Sequence, residues 1–244
     1  MKKIIFSVFA FVTALLVSSC GNGSSGSTML DLDVRIVPHP FVKERLEKAI
    51  PEERQKDEQK IEDFSNLFTV LPGPYEFTWE ELKNEDGATG YEMCATKLKV
   101  KLRLNKTLKP LIHSGWHDGQ PYTDEEMVEA ILGFYEFAMF NAEGKTDRDL
   151  SAENADGDYY RLFLKPSLRF KRGVNGKIGS TDNKDDILDF YHFLTDKPGT
   201  EFDLMLDCGH MLCKDIKDII AYNKGLFIMP TVDVTDGMYK FQYE

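Results

Sequence analysis

One short segment holds side chains of the kind that catalyse hydrolysis. His113-Ser-Gly-Trp-His117-Asp118 places a serine, two histidines and an aspartate close together. These are the residue types of a hydrolase triad, and two histidines four positions apart would bind a metal ion if they lay on a helix. Triads, however, assemble from separate parts of a fold, and Gly119 and Pro121 disfavour a helix. We therefore interpret the segment as a polar turn, with His113 and His117 as candidate ligand-binding residues and a hydrolase site as the alternative.

A second segment, Cys208-Gly-His-Met-Leu-Cys213, offers ligands for a soft metal ion. Cys208, His210 and Cys213 would suit zinc or copper, but a fourth ligand would have to come from elsewhere, and closely spaced ligand pairs are missing. A disulfide bond competes with metal binding. With Cys94, three cysteines follow residue 20, so one disulfide with one free thiol is open, as are three buried thiols. Their spacing does not choose a pair.

An acidic stretch partly matches a calcium-binding loop. Asp147, Asp149, Ser151, Glu153 and Asp158 have the spacing of calcium ligands, but Ala152 stands where the turn glycine belongs. We interpret the stretch as an acidic surface loop. The sequence has no phosphate-binding glycine loop and no dinucleotide fingerprint, so we expect no cofactor.

Aromatic side chains in turn-rich stretches are the remaining binding candidates. Trp79 and Trp116, with nearby tyrosines, could stack on a sugar ring or line a peptide groove, although most aromatic residues serve core packing.

The clearest secondary-structure pattern in the body of the chain is a strand. From Thr96 to Leu104, four apolar residues alternate with Lys97, Lys99, Lys101 and Arg103. Period-two alternation predicts a strand with one buried face, on which we place Val100. The basic face is either an anion-binding stripe or the partner of acidic residues on neighbouring strands.

Helices are predicted on both sides of this strand. Residues 43–63 carry 14 charges in 21 positions, and Pro51 suits the first turn of a second helix, so a charged helical hairpin is expected. Thr123 and Glu126 form a capping box that starts a helix predicted to reach Met139. Ile131–Phe137 resembles Ile187–Phe193, and each copy follows a strand-like run, 96–104 before the first and 159–170 before the second, which predicts a duplicated strand–loop–helix unit. A short helix is expected at 215–222, closed by Asn223-Lys-Gly225, and a final strand at 238–243.

Composition bounds the fold and the function. Apolar residues make up 42% of the 244, enough to bury a core, and the net charge of −11 disfavours nucleic-acid binding. Strands and helices mix without strict alternation, so we predict an α+β fold with an antiparallel or mixed sheet and a few amphipathic helices. The alternative is a β-sandwich with helical insertions. Residues 31–244 would form one domain, or two small ones that meet near 145–156.

The first twenty residues carry an export signal. Lys2 and Lys3 precede the apolar run Ile4–Val17, which is too short to span a bilayer and is typical of a signal peptide. Val17-Ser18-Ser19-Cys20 then resembles the lipobox of bacterial lipoproteins. The resemblance implies cleavage after residue 19 and acylation of Cys20, which binds the protein to a membrane. Cleavage removes Lys2 and Lys3, so the charge changes from −11 to −13.

These features predict an envelope lipoprotein. Residues 20–30 would form the lipidated cysteine and a flexible Gly/Ser tether. No acidic run of the kind that resembles a surface-export signal follows Cys20, which favours an outer-membrane anchor facing the periplasm. We expect a non-enzymatic protein that binds an unidentified ligand or protein partner. An envelope hydrolase or metal-dependent enzyme using 113–118 or 208–213 is the alternative.

Overall fold

A computed structural model describes residues 25–82, 93–113, 119–131, 134–146, 167–168 and 184–231. Within these ranges the chain forms nine strands and five α-helices, with a 3-10 turn at Cys213–Asp215. In chain order they are β1 (Gly26–Leu30), β2 (Asp33–Ile36), α1 (Pro40–Lys48), α2 (Pro51–Ser65), β3 (Phe68–Val70), β4 (Tyr75–Glu81), β5 (Met93–Leu104), α3 (Asp124–Ile131), β6 (Tyr135–Asn141), β7 (Ser167–Leu168), α4 (Lys184–Thr195), β8 (Glu201–Leu212), α5 (Ile216–Tyr222) and β9 (Asn223–Pro230).

The described strands form two sheets. The larger sheet is antiparallel, with the order β1-β4-β5-β8-β7, and β3 pairs with the end of β5 beside β4. The smaller sheet has the order β2-β9-β6, in which β2 is parallel to β9 and β6 is antiparallel to it. This mixture of helices with antiparallel and mixed sheets confirms the predicted α+β class.

Strand β5 is the centre of the larger sheet and confirms the alternation in the sequence. Leu98, Val100 and Leu102 are fully buried, and Leu104 is nearly so, whereas Lys101 and Arg103 are exposed. The apolar face of β5 therefore points into the core, as predicted for Val100.

An aromatic cluster fills the space between the larger sheet, α4 and β6. Phe68 lies 5.2 Å from Tyr135, and Phe193 stacks on Phe202 with ring centroids 5.0 Å apart. Phe190 contacts both groups. Offset and edge-on ring contacts of this kind add to the stabilisation from burial alone. Buried residues from before and after the boundary predicted near 145–156 belong to this one core cluster.

The charged helical hairpin is confirmed. Helix α2 begins at Pro51, whose missing amide hydrogen is harmless in the first turn. The hairpin is joined by a small apolar cluster of Val42 and Ile61 with Leu46 at its edge. An ion pair links the two helices, with Arg45 Nη2 lying 3.2 Å from Asp57 Oδ2. Most side chains of α1 and of the first half of α2 are exposed, so this hairpin is largely solvated.

The long helix predicted from the capping box is wrong beyond Ile131. Helix α3 ends there, and residues 135–141 form β6, which pairs with β9. Six of the seven side chains of β6, all except Glu136, are buried without alternation, and such a run has no strand period to detect. The predicted duplication fails for the same reason, because Ile187–Phe193 lies within a helix whereas 135–137 lies in a strand.

Two element boundaries also differ from the sequence prediction. The tether was expected to reach residue 30, but Gly26–Leu30 form β1 and pair with β4. The helix expected at 215–222 forms as α5, but Asn223–Gly225 begin β9 instead of only closing the helix. Of the strand expected over 159–170, only Ser167 and Leu168 are described. The strand expected at 238–243 and the calcium-like run 147–158 lie outside the described residues.

Candidate functional site

The described ends of the segment 112–121 are joined to each other. Ile112 and Pro121 form an antiparallel bridge, and the His113 amide donates a hydrogen bond of 2.8 Å to the Gln120 carbonyl. The Gly119 amide donates to the His113 carbonyl at 3.0 Å, and Gly119 has φ of 77°, a conformation that favours glycine. Residues 114–118, including Trp116 and His117, lie outside the described part of the chain. The polar turn predicted here is thus fixed at its base.

His113 ties this loop to the start of α3. Its Nε2 lies 3.1 Å from Glu126 Oε2, and its ring stacks on Tyr122 with centroids 4.3 Å apart. Glu126 also forms the predicted capping box, because its carboxylate accepts a 2.8 Å hydrogen bond from the Thr123 amide while its own amide donates to the Thr123 hydroxyl. One carboxylate therefore holds both the helix end and the loop base.

The charge of Glu126 is stabilised by these contacts. The backbone amide of Thr123 lowers the pKa of the Glu126 carboxyl most, desolvation opposes this effect, and His113 lowers the pKa further. Burial, with the negative charge of Glu126, raises the pKa of the Tyr122 hydroxyl. An ionised carboxylate can only accept hydrogen bonds, so Nε2 of His113 carries the hydrogen in this contact.

A histidine held by a carboxylate is the base-and-orienter half of a hydrolase triad. The nucleophile would have to come from elsewhere, and Ser114 and Asp118, which the sequence offers, lie outside the described residues. The hydrolase hypothesis for 113–118 therefore remains a prediction. The described contacts of His113 fix a loop in place.

The structure does not bring together Cys208, His210 and Cys213, the candidate metal ligands of the segment 208–213. Cys213 forms a disulfide bond with Cys94, with the two Cα atoms 5.2 Å apart, and Cys208 is the free cysteine. A sulfur in a disulfide is not a thiolate ligand. In addition, His210 is exposed whereas Cys208 is 2% exposed, so the two do not share a site. Among the described residues, no three His, Cys, Asp or Glu side chains are arranged to hold a metal ion.

The structure also decides between the alternatives for the cysteines. The pair is Cys94–Cys213, neither 208–213 nor three free thiols. The remaining thiol, Cys208, is the buried one, and burial raises its pKa, with the charge of Asp207 adding to the effect. Cys208 therefore stays protonated and behaves as a small apolar residue.

A β-bulge places Cys208 in the core. Thr96 lies opposite Gly209, but Lys97 lies opposite Asp207, so Cys208 is an additional residue on β8. Gly209 has φ of 84°, and the buried Thr96 hydroxyl donates a 2.9 Å hydrogen bond to its carbonyl. The bulge is not among the sequence predictions, although a glycine inside a strand pattern is its usual signal.

Trp79, a ligand-binding candidate from the sequence, lies within β4 and packs against its neighbours there. Its indole covers Gly26 of β1, where an added Cβ would come within 2.6 Å of Cζ2. Its ring centroid lies 6.1 Å from that of Phe77, and the side chain packs at the edge of the core.

The basic face of β5 is matched by acidic residues on its neighbours, which confirms cross-strand pairing over an anion-binding stripe. Lys99 Nζ lies 2.8 Å from Glu76 Oε2, and Arg103 Nη2 lies 2.7 Å from Glu201 Oε1. Surface pairs of this kind contribute about 0–1 kcal/mol each. The four opposed pairs are Lys97 with Asp207, Lys99 with Glu76, Lys101 with Asp203, and Arg103 with Glu201.

A second histidine–carboxylate contact was missed by the sequence analysis. His39 is 4% exposed, and its Nε2 lies 2.7 Å from Oε2 of Glu136 on β6. The His39 carbonyl accepts hydrogen bonds from the amides of Val42 and Lys43 at the start of α1. His39 thus joins the first turn of α1 to the smaller sheet. A single histidine between two prolines carries no pattern that would have predicted this contact.

The chain matches no protein-family model, no curated protein and no solved structure. In the described part of the chain, no helix combines the length and the apolar character needed to cross a membrane.

Proposed function

We propose that this protein is a lipoprotein of the bacterial cell envelope, held on a membrane by acyl chains on Cys20. The observation that carries the proposal is Val17-Ser18-Ser19-Cys20 directly after a basic start and a 14-residue apolar run. The Cys94–Cys213 disulfide supports it, because structural disulfides form and persist in oxidising compartments such as the periplasm. An outer-membrane anchor facing the periplasm is the location we propose.

The folded domain is proposed to bind a ligand or protein partner rather than to catalyse a reaction. In support, the one described histidine of the 113–118 segment is used to hold the loop base, and the disulfide removes Cys213 from any metal site. Trp116 and His117 are the proposed contact residues, because the described residues that flank them in sequence are bridged to each other. Binding residues commonly lie on loops carried by a rigid scaffold.

A Cys20→Ala variant tests the anchor. The wild-type protein should fractionate with membranes, and mass spectrometry should find acyl chains on an N-terminal Cys20. The variant should appear in the soluble fraction with an unchanged melting temperature, because residue 20 precedes the first described strand. Cys208→Ala is the matched control, since it also removes one sulfur but leaves the anchor intact. A Cys20→Ala protein that stays with membranes at high salt, or a native N-terminus without lipid, contradicts the proposal.

The non-enzymatic part of the proposal has its own test. Purified mature protein is offered ester, peptide and glycoside substrates, and its metal content is measured. We expect neither turnover nor stoichiometric metal. Turnover that is lost in His113→Ala or in His117→Ala would instead establish the hydrolase alternative.

A further inference from the structure

The first strand begins close to the proposed anchor. Gly26 of β1 is six residues after Cys20, and the chain is already held at Ser25, whose hydroxyl accepts a 3.0 Å hydrogen bond from the Glu81 amide. Even a fully extended chain gains only ~3.3–3.6 Å per residue, so Cys20 and Gly26 can be at most about 22 Å apart. An acylated Cys20 would thus keep the start of β1 near the bilayer.

The strand register identifies which end of the larger sheet this is. Gly26 lies opposite Trp79, Glu81 lies opposite Cys94, and Cys94 lies opposite Met211. The start of β1, the end of β4, the start of β5 and the end of β8 therefore share one end of the sheet. We call it the anchor end, and it carries the Cys94–Cys213 disulfide.

The opposite end of the sheet is called the far end. It carries the loop 71–74 and the turn 196–200, where the Gly199 amide donates a 2.7 Å hydrogen bond to the Leu104 carbonyl. Arg103 lies opposite Glu201 at this end. From Cys94 to Leu104, at ~3.3 Å per residue, the far end is about 30 Å from the anchor end.

The described surface has no feature that would bind the face of the larger sheet to the bilayer. The outer face of β5 is lined by ion pairs such as Lys99–Glu76. The exposed large apolar residues of the described chain, Met29, Ile50 and Ile112, lie in three different elements or loops. Isolated apolar side chains are normal on a soluble surface, whereas interfacial binding needs a continuous apolar face. The acidic net charge of the chain also opposes contact with anionic lipids.

We propose that the anchor end of the larger sheet, with its disulfide, faces the bilayer and that the far end, with the loop 71–74 and the turn 196–200, faces away from it. The proposal rests on the proposed lipidation of Cys20. It assigns the far end as the surface that a partner in the aqueous space can reach.

Energy transfer from a labelled cysteine to an acceptor lipid tests this orientation. Glu80→Cys marks the anchor end and Lys197→Cys marks the far end, and both side chains are exposed, so stability should change little. The native sulfurs should not react with a maleimide dye, because Cys94 and Cys213 are paired and Cys208 is buried. The full lipidated protein without either substitution checks that background. Each labelled protein is bound to phosphatidylcholine vesicles that contain the acceptor lipid.

We expect transfer from position 80 to be several-fold greater than transfer from position 197. A Gly/Ser insertion after Gly23 that doubles the tether should lower the transfer from position 80, because the anchor end can then move away. Equal transfer from the two positions, or greater transfer from position 197, overturns the orientation. Flotation with the vesicles and the acyl mass on Cys20 are measured on the same samples. Loss of these two signals overturns the proposed anchor itself, so the two failures are distinguishable.

Discussion

Breaking the Cys94–Cys213 disulfide should strongly destabilise the protein. The two cysteines are separated by 119 positions in sequence. The loop-closure relation for a cross-link of that span predicts that the bond stabilises the protein by about 5 kcal/mol at 25 °C, mainly by restricting the unfolded chain. Residual structure in the unfolded state reduces such values, so we expect a measured loss of about 3–5 kcal/mol.

Urea titration followed by tryptophan fluorescence measures this loss. For a chain of this size the free energy of unfolding falls by about 2–3 kcal/mol per molar urea, so the midpoint of the Cys94→Ala/Cys213→Ala variant should be lower by roughly 1–2 M. Added reductant should shift the wild-type midpoint in the same direction and leave the double variant unchanged. Cys208→Ala is the control, because it keeps the cross-link.

Two results would refute the reasoning. Alkylation of denatured, unreduced mature protein should modify Cys208 alone, and modification of Cys94 or Cys213 would show that the bond is absent. Equal urea midpoints before and after a verified reduction would show that the bond does not restrict the unfolded chain as calculated.

Three further changes test the sheets and the helix cap. Val100→Asp places a charge at a fully buried position, so it should abolish folding or lower the melting temperature by roughly 10 °C. Lys101→Ala, on the exposed face, should have little effect. Equal melting temperatures of the two variants would contradict the orientation of β5. Gly225→Ala should lower the free energy of unfolding by about 1–3 kcal/mol, because the added Cβ would overlap the Phe140 ring. An unchanged thermal unfolding curve would be inconsistent with the pairing of β6 and β9. Glu126→Gln should reduce the loss of stability in acid. A carboxyl whose pKa is lowered on folding stabilises the fold at pH values above its ordinary pKa of 4.5, and this contribution is lost as the pH falls through the pKa of the folded state. An identical decline of melting temperature with pH in both proteins would contradict this role of Glu126.

Local patterns predicted the parts of the fold whose structure is decided locally. The alternation around Val100 gave β5 and its buried face, because one side of that strand contacts the core and the other contacts water. Pro51 and the Thr123–Glu126 box marked helix starts, because each satisfies or removes orphan amides within a few residues. The acidic partners of the basic stripe were also foreseen as one of two alternatives.

The errors arose where the outcome depends on distant contacts. The apolar residues up to Met139 fit the spacing of a helix, and only the pairing of β6 with β9 decides that Tyr135–Asn141 form a strand. The partner of Cys213 could not be found from spacing, because it depends on the register of β5 against β8. For the candidate site, the sequence found His113 and the capping Glu126 separately but not the contact between them. His39 and its partner Glu136 are 97 positions apart and carried no signal.

The buried Cys208 has a consequence for how long the cross-link lasts. Thiol–disulfide exchange requires a thiolate that can reach the disulfide, and the environment of Cys208 keeps its sulfur protonated and enclosed. While the sheet stays closed, Cys208 therefore cannot exchange with the Cys94–Cys213 disulfide. Exchange between Cys208 and the Cys94–Cys213 disulfide therefore requires local unfolding at the β8 bulge, so its rate is limited by how often this part of the strand opens.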